Sequence, residues 1–306
     1  MLVANKGDRS LGIIDPATGK QVAAVPENGV TGHEVIASPD GKIAYVPIYG
    51  DSGVGKPGTD GRNMVAIDIA SRKVVGSLDF GHGVRPHCPQ FGPKNGLLYV
   101  STELDNSISI IEPKSLKVIG TVPTGQKESH MFVISPDGKR AYTANVGPGT
   151  VSVLDLDARK TLKVVPISSN TQRISISVGG KMVFTSDQTK SRLAVINTAT
   201  DTVESSVDLP GLGYGTSPTP DGKWLVVAVP TVNKVAVVDL EALRVVQTID
   251  VPKAPQAVVV RPDGKIAYVS CDSSSKVAAI RTSDWQIDTL IDAGKGADGL
   301  AWAVSS

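Results

Sequence analysis

The sequence has few residues of several types, and each shortage argues against a class of protein. Phe, Trp and Tyr together make up 4% of the 306 residues, which leaves little material for a large aromatic binding surface. Cysteine occurs twice, so a disulfide framework is not expected. The 31 basic residues balance the 30 acidic ones, and this balance argues against a nucleic acid partner.

Long apolar runs are missing as well. No run approaches the roughly 18 residues that a transmembrane helix needs, so we expect no membrane span. The first residues, Met1 to Asn5, have the pattern of a strand and lack the charged and apolar regions of a signal peptide. The protein is therefore predicted to be either cytoplasmic, or periplasmic or secreted after removal of a signal. The sequence indicates no oligomeric state.

A repeat runs through the whole chain. Pro-Asp-Gly-Lys recurs between apolar stretches at residues 39–42, 136–139, 220–223 and 262–265, which predicts hairpins with tight turns. A second signal is a strand of the type Val-Ala-Val-Val-Asp. It ends at Asp15, Asp68, Glu112, Asp155, Asn197, Asp239 and Arg281. These positions lie 42 to 44 residues apart, except for a first interval of 53.

The period predicts the architecture. Each unit contains four strands, A to D, with the Pro-Asp-Gly turn between A and B, and four-stranded units of this length are typical of β-propellers. Seven units predict an all-β, seven-bladed propeller of four antiparallel strands per blade, in one domain over residues 1–306. The last strand, Asp298 to Ala303, is predicted to be a strand A that joins the N-terminal strands B to D and closes the ring.

The repeat resembles the YVTN family of β-propellers, which is related to lactonase-type and surface-layer propellers. The matching segment is Ser-Pro-Asp-Gly-Lys-Arg-Ala-Tyr-Thr-Ala-Asn at 135–145, followed by Val-Ser-Val-Leu-Asp at 151–155. The resemblance covers essentially the whole chain. It implies that the functional face is the end of the central channel where each strand A begins. Propellers of this kind include enzymes, binding modules and wall proteins.

One register of the repeat has unusual residues at that end. It lies twelve residues before the start of strand B, and its members are His33, His87, His130, Gln172, Tyr214, Gln256 and Asp298. The chain contains only four histidines, and three of them occupy this register on consecutive blades. The sequence therefore predicts that three imidazoles converge at the top of the channel.

Three neutral imidazoles on one side of a site form a set of nitrogen ligands for a divalent transition metal such as Zn, Fe, Mn, Ni or Cu. Three protein ligands leave coordination positions open for water or substrate, as in catalytic sites. The site also resembles that of propeller lyases that cleave uronates, which implies Gln172 as a fourth ligand. The alternative is that the histidines bond to the backbone or to channel water.

Other residues are candidates for catalysis or substrate binding. Asp298 or Tyr214 is predicted to act as acid or base, and Arg173 to hold an anionic substrate. Glu34 is a weaker candidate, because in a regular strand it points away from the side that His33 faces. Cys88, which follows His87, is interpreted as a small buried residue rather than a ligand.

Two loop features complete the prediction. Residues 48–63 form an insertion that is either a lid over the channel mouth, with Tyr49 reaching inward, or a tolerated surface loop. The fourth histidine, His82, is interpreted as an exposed loop residue. Further residues just past strand B are expected at the channel rim, namely Glu103, Asn145 and Asp187.

The leading hypothesis is a metal-dependent hydrolase that acts on a lactone or a similar small polar substrate. One alternative is a metal-dependent lyase or oxygenase at the same site. A second is a non-enzymatic binding or scaffold propeller.

Overall fold

A computed structural model describes residues 1–304 and shows seven four-stranded antiparallel sheets arranged as a propeller. In every sheet the strands follow the order A-B-C-D, and the A strands of neighbouring blades contact one another around the axis. The predicted all-β, seven-bladed fold is confirmed. We number the blades 1 to 7 from the N-terminus, so that blade 1 contains both ends of the chain.

The strand bounds follow the repeat closely. In order of blades 1 to 7, the A strands are Ala297–Ala301, Ile36–Ala37, Pro86–Phe91, Ser129–Ile134, Thr171–Ile176, Thr216–Pro218 and Pro255–Val260. The B strands are Leu2–Asn5, Ile43–Gly50, Leu98–Thr102, Arg140–Asn145, Met182–Asp187, Trp224–Val229 and Ile266–Cys271. The C strands are Ser10–Asp15, Asp60–Asp68, Ser107–Glu112, Thr150–Asp155, Arg192–Asn197, Lys234–Asp239 and Lys276–Arg281. The D strands are Lys20–Pro26, Lys73–Asp79, Lys117–Pro123, Lys160–Pro166, Thr202–Asp208, Arg244–Asp250 and Ile287–Asp292. Short 3-10 helices connect strands B and C in blades 1, 3, 6 and 7, at Lys6–Asp8, Glu103–Asp105, Pro230–Val232 and Asp272–Ser274.

The ring closes within blade 1, as predicted. Strand A at Ala297–Ala301 pairs with strand B at Leu2–Asn5, and Leu2 lies opposite Ala301. The strand ends at Ala301, two residues earlier than the apolar pattern indicates. Because closure pairs the first strand with the last, no inner sheet edge is left open at the junction of the chain ends.

The hydrophobic core lies between adjacent blades. In the cluster between blades 1 and 2, Leu2 and Leu11 of one sheet pack with Val46 and Ile67 of the next, and none of the four is exposed. The alternation of apolar and polar residues in each strand supplies these faces. No helix within residues 1–304 is long and apolar enough to span a membrane.

The Pro-Asp-Gly segments form the A–B turns. In blade 4, the Ser135 hydroxyl donates to Asp137 (2.6 Å) and accepts from the Arg140 amide (2.9 Å). Gly138 adopts a φ of +75°, a conformation that glycine tolerates without strain. The repeated motif therefore defines the hairpin turn through its serine, aspartate and glycine.

A β-bulge interrupts strand A in five of the seven blades, at the register that contains the histidines. In blade 4, Ser129 pairs with Asn145 while Met131 pairs with Ala144, so His130 is an extra residue. Equivalent shifts occur in blades 1, 3, 5 and 7. A bulge redirects the side chains around it. Two consecutive residues of strand A can therefore face the channel here, where regular alternation would send one of them away.

Candidate functional site

The three histidines of the register lie together at one end of the channel. The ring centroids of His33 and His87 are 5.6 Å apart, and those of His87 and His130 are 3.6 Å apart in a nearly parallel stack. His87 and His130 are buried, whereas His33 is half-buried at the mouth. The convergence predicted from the register is thus present.

Burial keeps these imidazoles neutral. It lowers the pKa of His33 to about 4, and it lowers the pKa values of His87 and His130 as well. The neighbouring histidines also lower the pKa of His87, since two adjacent imidazolium ions would repel each other. The Nδ1 atoms of His87 and His130 are buried and make no hydrogen bond. A buried, unpartnered nitrogen is uncommon and requires an explanation.

Tyr49 and Glu103 enclose the cluster on the same side of the channel. The Tyr49 ring lies 4.7 Å from that of His33 and 5.1 Å from that of His87, centroid to centroid. Its hydroxyl donates to Glu103 Oε2 at 2.5 Å, and the same oxygen lies 3.4 Å from His130 Nδ1. Although burial opposes it, contacts with His130, Tyr49 and Arg85 lower the pKa of Glu103, so the carboxylate is ionised.

Arg85 ties the insertion to this group. Its side chain is buried and pairs with Asp60 (2.7 Å), and it lies 3.7 Å from Glu103. It also donates to the backbone carbonyls of Gly53 (3.4 Å) and Lys56 (2.7 Å). The insertion extends the hairpin of strands B and C in blade 2, and Tyr49 reaches inward from its base. The insertion thus borders the histidine cluster and is fastened to it by ionic contacts.

The opposite side of the channel is ionic. Asp298 is buried and accepts from Arg173 (3.2 Å) and from Lys6 (3.0 Å), and Lys6 also pairs with Asp272 (3.1 Å). The two cations outweigh the desolvation of Asp298 and lower its pKa, so it is an ionised acceptor rather than a proton donor. The Lys6 ammonium is correspondingly held in its charged form.

Arg173 is the centre of the ionic group. Its Nη1 donates to Glu34 at 2.5 Å, its Nη2 donates to Asp298, and its guanidinium carbon lies 4.6 Å from the centre of the Tyr214 ring. Burial raises the pKa of Glu34 to about 7 despite this partner. Burial also raises the pKa of Tyr214, which therefore keeps its hydroxyl proton. Although Glu34 follows His33 directly, it faces the channel, so alternation within a regular strand does not hold at this point.

The donor set suits a transition metal in its chemistry, since three neutral imidazoles lie together and the buried Nδ1 of His87 has no partner. As the side chains stand, no three or more His, Cys, Asp or Glu groups among residues 1–304 have the arrangement of a metal site. The stacking of His87 on His130 accounts for this, because stacked rings do not direct their nitrogens to one point.

The remaining predicted residues are placed as follows. Gln172 and Gln256 lie half-buried in the same register, and Cys88 is buried, with its pKa raised to about 12 by burial. His82 is an exposed loop residue that pairs with Asp105 (2.8 Å). Of the three residues expected at the rim, only Glu103 reaches the cluster. Asn145 and Asp187 bond within their own blades, for example to Ser129 and Thr189.

Sequence reasoning missed Lys6 and Asp272, which complete the ionic side. Both directly follow strand B, in a second register that lies sixteen residues beyond the first in blades 2 to 7. Its members are Lys6 of blade 1 and Tyr49, Glu103, Val146, Gln188, Pro230 and Asp272. Aligning this second register reveals a cluster of polar and charged residues at the same end of the channel. Arg85, two residues before His87, could not be found in this way because its role depends on the insertion.

Comparison with known proteins supports the fold and a family. Residues 16–206 match the family model described as lactonase, seven-bladed β-propeller. A seven-bladed β-propeller protein of Mycobacterium tuberculosis is 28% identical over 174 residues, which cover 56% of this chain and 39% of that protein. The structure is similar to a chain of hydrazine synthase from Kuenenia stuttgartiensis, with a TM-score of 0.78, 21% identity and 92% coverage of each chain. At this identity, the likeness to hydrazine synthase concerns the fold alone.

Proposed function

The chain belongs to the seven-bladed β-propeller lactonase family, and from this premise we propose that it is a hydrolase that uses a divalent transition metal at the histidine cluster. The proposed substrate is a lactone or a similar small polar ester. The family match supports hydrolytic chemistry, and the residues of the channel end support a metal.

The observation that carries the proposal is the group of three buried or half-buried neutral imidazoles, of which His87 has a buried Nδ1 without a partner. A buried nitrogen without a hydrogen-bond partner is uncommon, and a bound metal ion would give it one. Three imidazoles from consecutive blades are a donor set that transition metals prefer.

The charge around the cluster also favours a cation. The ion pairs on the two sides of the channel contain three cations, Lys6, Arg85 and Arg173. They contain five carboxylates, namely Glu34, Asp60, Glu103, Asp272 and Asp298. With the histidines neutral, the excess is two negative charges when Glu34 is ionised and one when it is protonated, since its pKa is about 7. A divalent cation balances that excess in a site where water screens poorly.

A metal ion held by three imidazoles supplies a water molecule that ionises near neutral pH. The protein's own residues prepare the ligands. An ionised Glu103 beside His130 favours the tautomer with a proton on Nδ1, which leaves Nε2 as the free ligand nitrogen. Tyr49 and Arg85 hold that carboxylate in place.

The ionic side offers groups for the substrate and for proton transfer. Tyr214 keeps its proton at neutral pH and is the proposed donor to a leaving alkoxide. Asp298, which is ionised, is the proposed acceptor of a proton from an incoming water. Arg173 contacts both Glu34 and Asp298, so its proposed role is to position these carboxylates.

A cavity of about 520 Å³ leads to the cluster from solvent. It is lined by His33, Lys6, Arg9 and Thr31 on one side and by Gly50 to Gly53 of the insertion on the other. His33, the most exposed of the three histidines, therefore borders the approach route. A small polar substrate that enters here meets a polar wall and the edge of the insertion.

The proposal is tested with metal-stripped protein that is reloaded separately with Zn, Mn, Fe(II), Ni or Cu. Acid release from a panel of lactones is measured in a pH-stat, with uronate oligomers as a second panel. We expect one equivalent of bound metal and lactone hydrolysis that depends on it. Bound metal with cleavage of uronates alone would replace the hydrolase with a lyase, and absence of bound metal would favour a non-enzymatic propeller.

A further inference from the structure

A second cavity occupies the channel on the far side of the ionic group. It has a volume of about 430 Å³, within the range of small-molecule sites, and strand A of every blade contributes to its wall. Its lining begins one residue past the histidine register and includes none of the histidines. We call this cavity the lower channel. It is separated from the cluster by Glu34, Arg173 and Asp298.

The walls of the lower channel are mainly apolar. Side chains such as Val133, Ile176, Val259 and Trp302 line it, and these four are half-buried, so the cavity opens to solvent at their end. The other end is closed by Glu34 and Arg173, the only charged residues of the lining. The lower channel is thus an apolar pocket with a charged floor.

The two carboxylates beside Arg173 differ in their partners. Asp298 is contacted by two cations, Arg173 and Lys6, whereas Glu34 is contacted by Arg173 alone. The hydrogen bond from Arg173 goes to Glu34 Oε1, and Oε2 has no protein donor within residues 1–304. With Asp272 included, this group holds three carboxylates and two cations. Glu34 and Asp272 each have a single cationic partner, and of these two carboxylates only Glu34 lines the lower channel.

Arg173 does not make the floor a site for anions. Both of its Nη atoms already donate to carboxylates, and its Nε, which has no hydrogen-bond partner, is buried within the protein. An anion in the lower channel would face the Glu34 carboxylate, and both Nη atoms beside that carboxylate are already engaged. A cation, in contrast, would give Glu34 the second partner that Asp298 already has.

We propose that the lower channel binds a small primary amine, with its ammonium group on Glu34 Oε2 and its apolar body against Val133, Ile176 and Val259. The site is distinct from the histidine cluster and does not depend on the proposed hydrolase function. Charge-assisted hydrogen bonds are about twice as strong as neutral ones, which makes the ammonium the specificity-determining group.

Three probes of nearly equal size test the charge preference on the unmodified protein at one pH. Benzylamine, benzyl alcohol and benzoate are titrated by calorimetry, and the fluorescence of Trp302 in the wall provides a second signal. We expect benzylamine to bind at least about tenfold more tightly than benzyl alcohol, a difference of about 1.4 kcal/mol, and benzoate not to bind. Equal binding of the amine and the alcohol, or preference for benzoate, would overturn the proposal.

Two variants locate the site. Glu34→Gln removes the carboxylate of the floor and should reduce benzylamine affinity at least about tenfold without improving benzyl alcohol binding. Ser217→Phe narrows the cavity from its half-exposed wall, away from the floor, and should abolish binding of every probe. Because Ser217 has no contact with the histidines, metal content should be unchanged in this variant. Undiminished benzylamine binding in both variants would place the amine elsewhere and contradict the proposal.

Discussion

The two halves of the channel mouth share one backbone design and differ in chemistry. Blades 2 to 4 contribute His33, His87 and His130, which are neutral, close together and short of hydrogen bonds. Blades 1 and 5 contribute Asp298 and Arg173 from the same short stretch of strand A, and these two residues are charged and paired with each other. In both halves these residues lie where strand A begins, and the residue type at that position determines whether the side chain is charged or is a neutral imidazole.

The largest effect is expected on metal binding, from a substitution in the half of the channel mouth that contains the three histidines. His87→Ala removes the central imidazole, and we expect bound metal to fall from one equivalent to less than about a tenth, since two ligands rarely hold a transition metal in competition with water. Elemental analysis after gel filtration measures this. Gln256→Ala, in the same register across the channel, is the matched control and should keep its metal. Equal loss of bound metal in both variants would show that metal binding is not specific to the histidine half of the channel mouth.

The ionic half should respond in stability rather than in metal content. Arg173→Met leaves Glu34 without a cation and Asp298 with one, and removing one member of a buried ion group costs about 3–5 kcal/mol. Urea unfolding measures the loss. Arg140→Met breaks a half-exposed pair with Asp201 and should cost less than about 1 kcal/mol. Similar costs for the two variants would show that the central network is not a major contributor to stability.

The histidine half should also be the source of a pH effect on stability, through Glu27. This buried carboxylate accepts from the Gly32 amide next to His33, and burial raises its pKa to about 7. The folded state then holds a proton that the unfolded state has lost, so the free energy of unfolding falls as pH rises from about 4.5 to 7. The shift corresponds to about 3 kcal/mol.

In Glu27→Gln the free energy of unfolding should not show this fall with pH. The histidines contribute in the opposite direction in both proteins, so the difference in unfolding free energy between wild type and variant across pH 4 to 8 isolates the contribution of Glu27. If the two unfolding curves remained parallel over that range, Glu27 would not be a proton-binding group of the folded state.

A smaller effect on metal affinity is expected from Glu103→Gln, which tests whether Glu103 orients His130. Partners of metal ligands typically contribute about 10- to 100-fold to metal affinity, and we expect a loss in that range, measured by competition with a chelator. Asp105→Asn, at the other end of the same 3-10 helix, alters only the exposed contact with His82 and serves as the control. Unchanged affinity in Glu103→Gln would mean that His130 is oriented by other contacts.

The fold was predictable because each repeat carries its own turn chemistry and strand pattern. The Pro-Asp-Gly turns and the C-strand endings establish seven blades, and the remaining strand A at the C-terminus establishes closure. The histidine cluster was predictable as well, because residues in one register of a ring must converge. Its finer geometry was not, since the stacking of His87 on His130 depends on side-chain torsions that no spacing encodes.

Glu34 and Lys6 show two further limits. Strict alternation directs Glu34 away from the side of His33. Both residues precede the short strand A of blade 2, Ile36–Ala37, so the alternation of a regular strand does not apply to them. Lys6 begins the 3-10 helix that follows strand B of blade 1, and strand A of that blade comes from the other end of the chain. Its partner Asp298 is nearly 300 residues away in sequence, so local patterns give no sign of the contact.

The central claim is that the three imidazoles share one metal ion, and anomalous diffraction from crystals soaked in Zn²⁺ tests it most directly. We predict a single strong peak within about 2.0–2.1 Å of a nitrogen from each of His33, His87 and His130, after the stack of His87 on His130 has opened. A map with the stack intact and no peak among the three rings, or with zinc bound only at surface residues such as His82, would contradict the account.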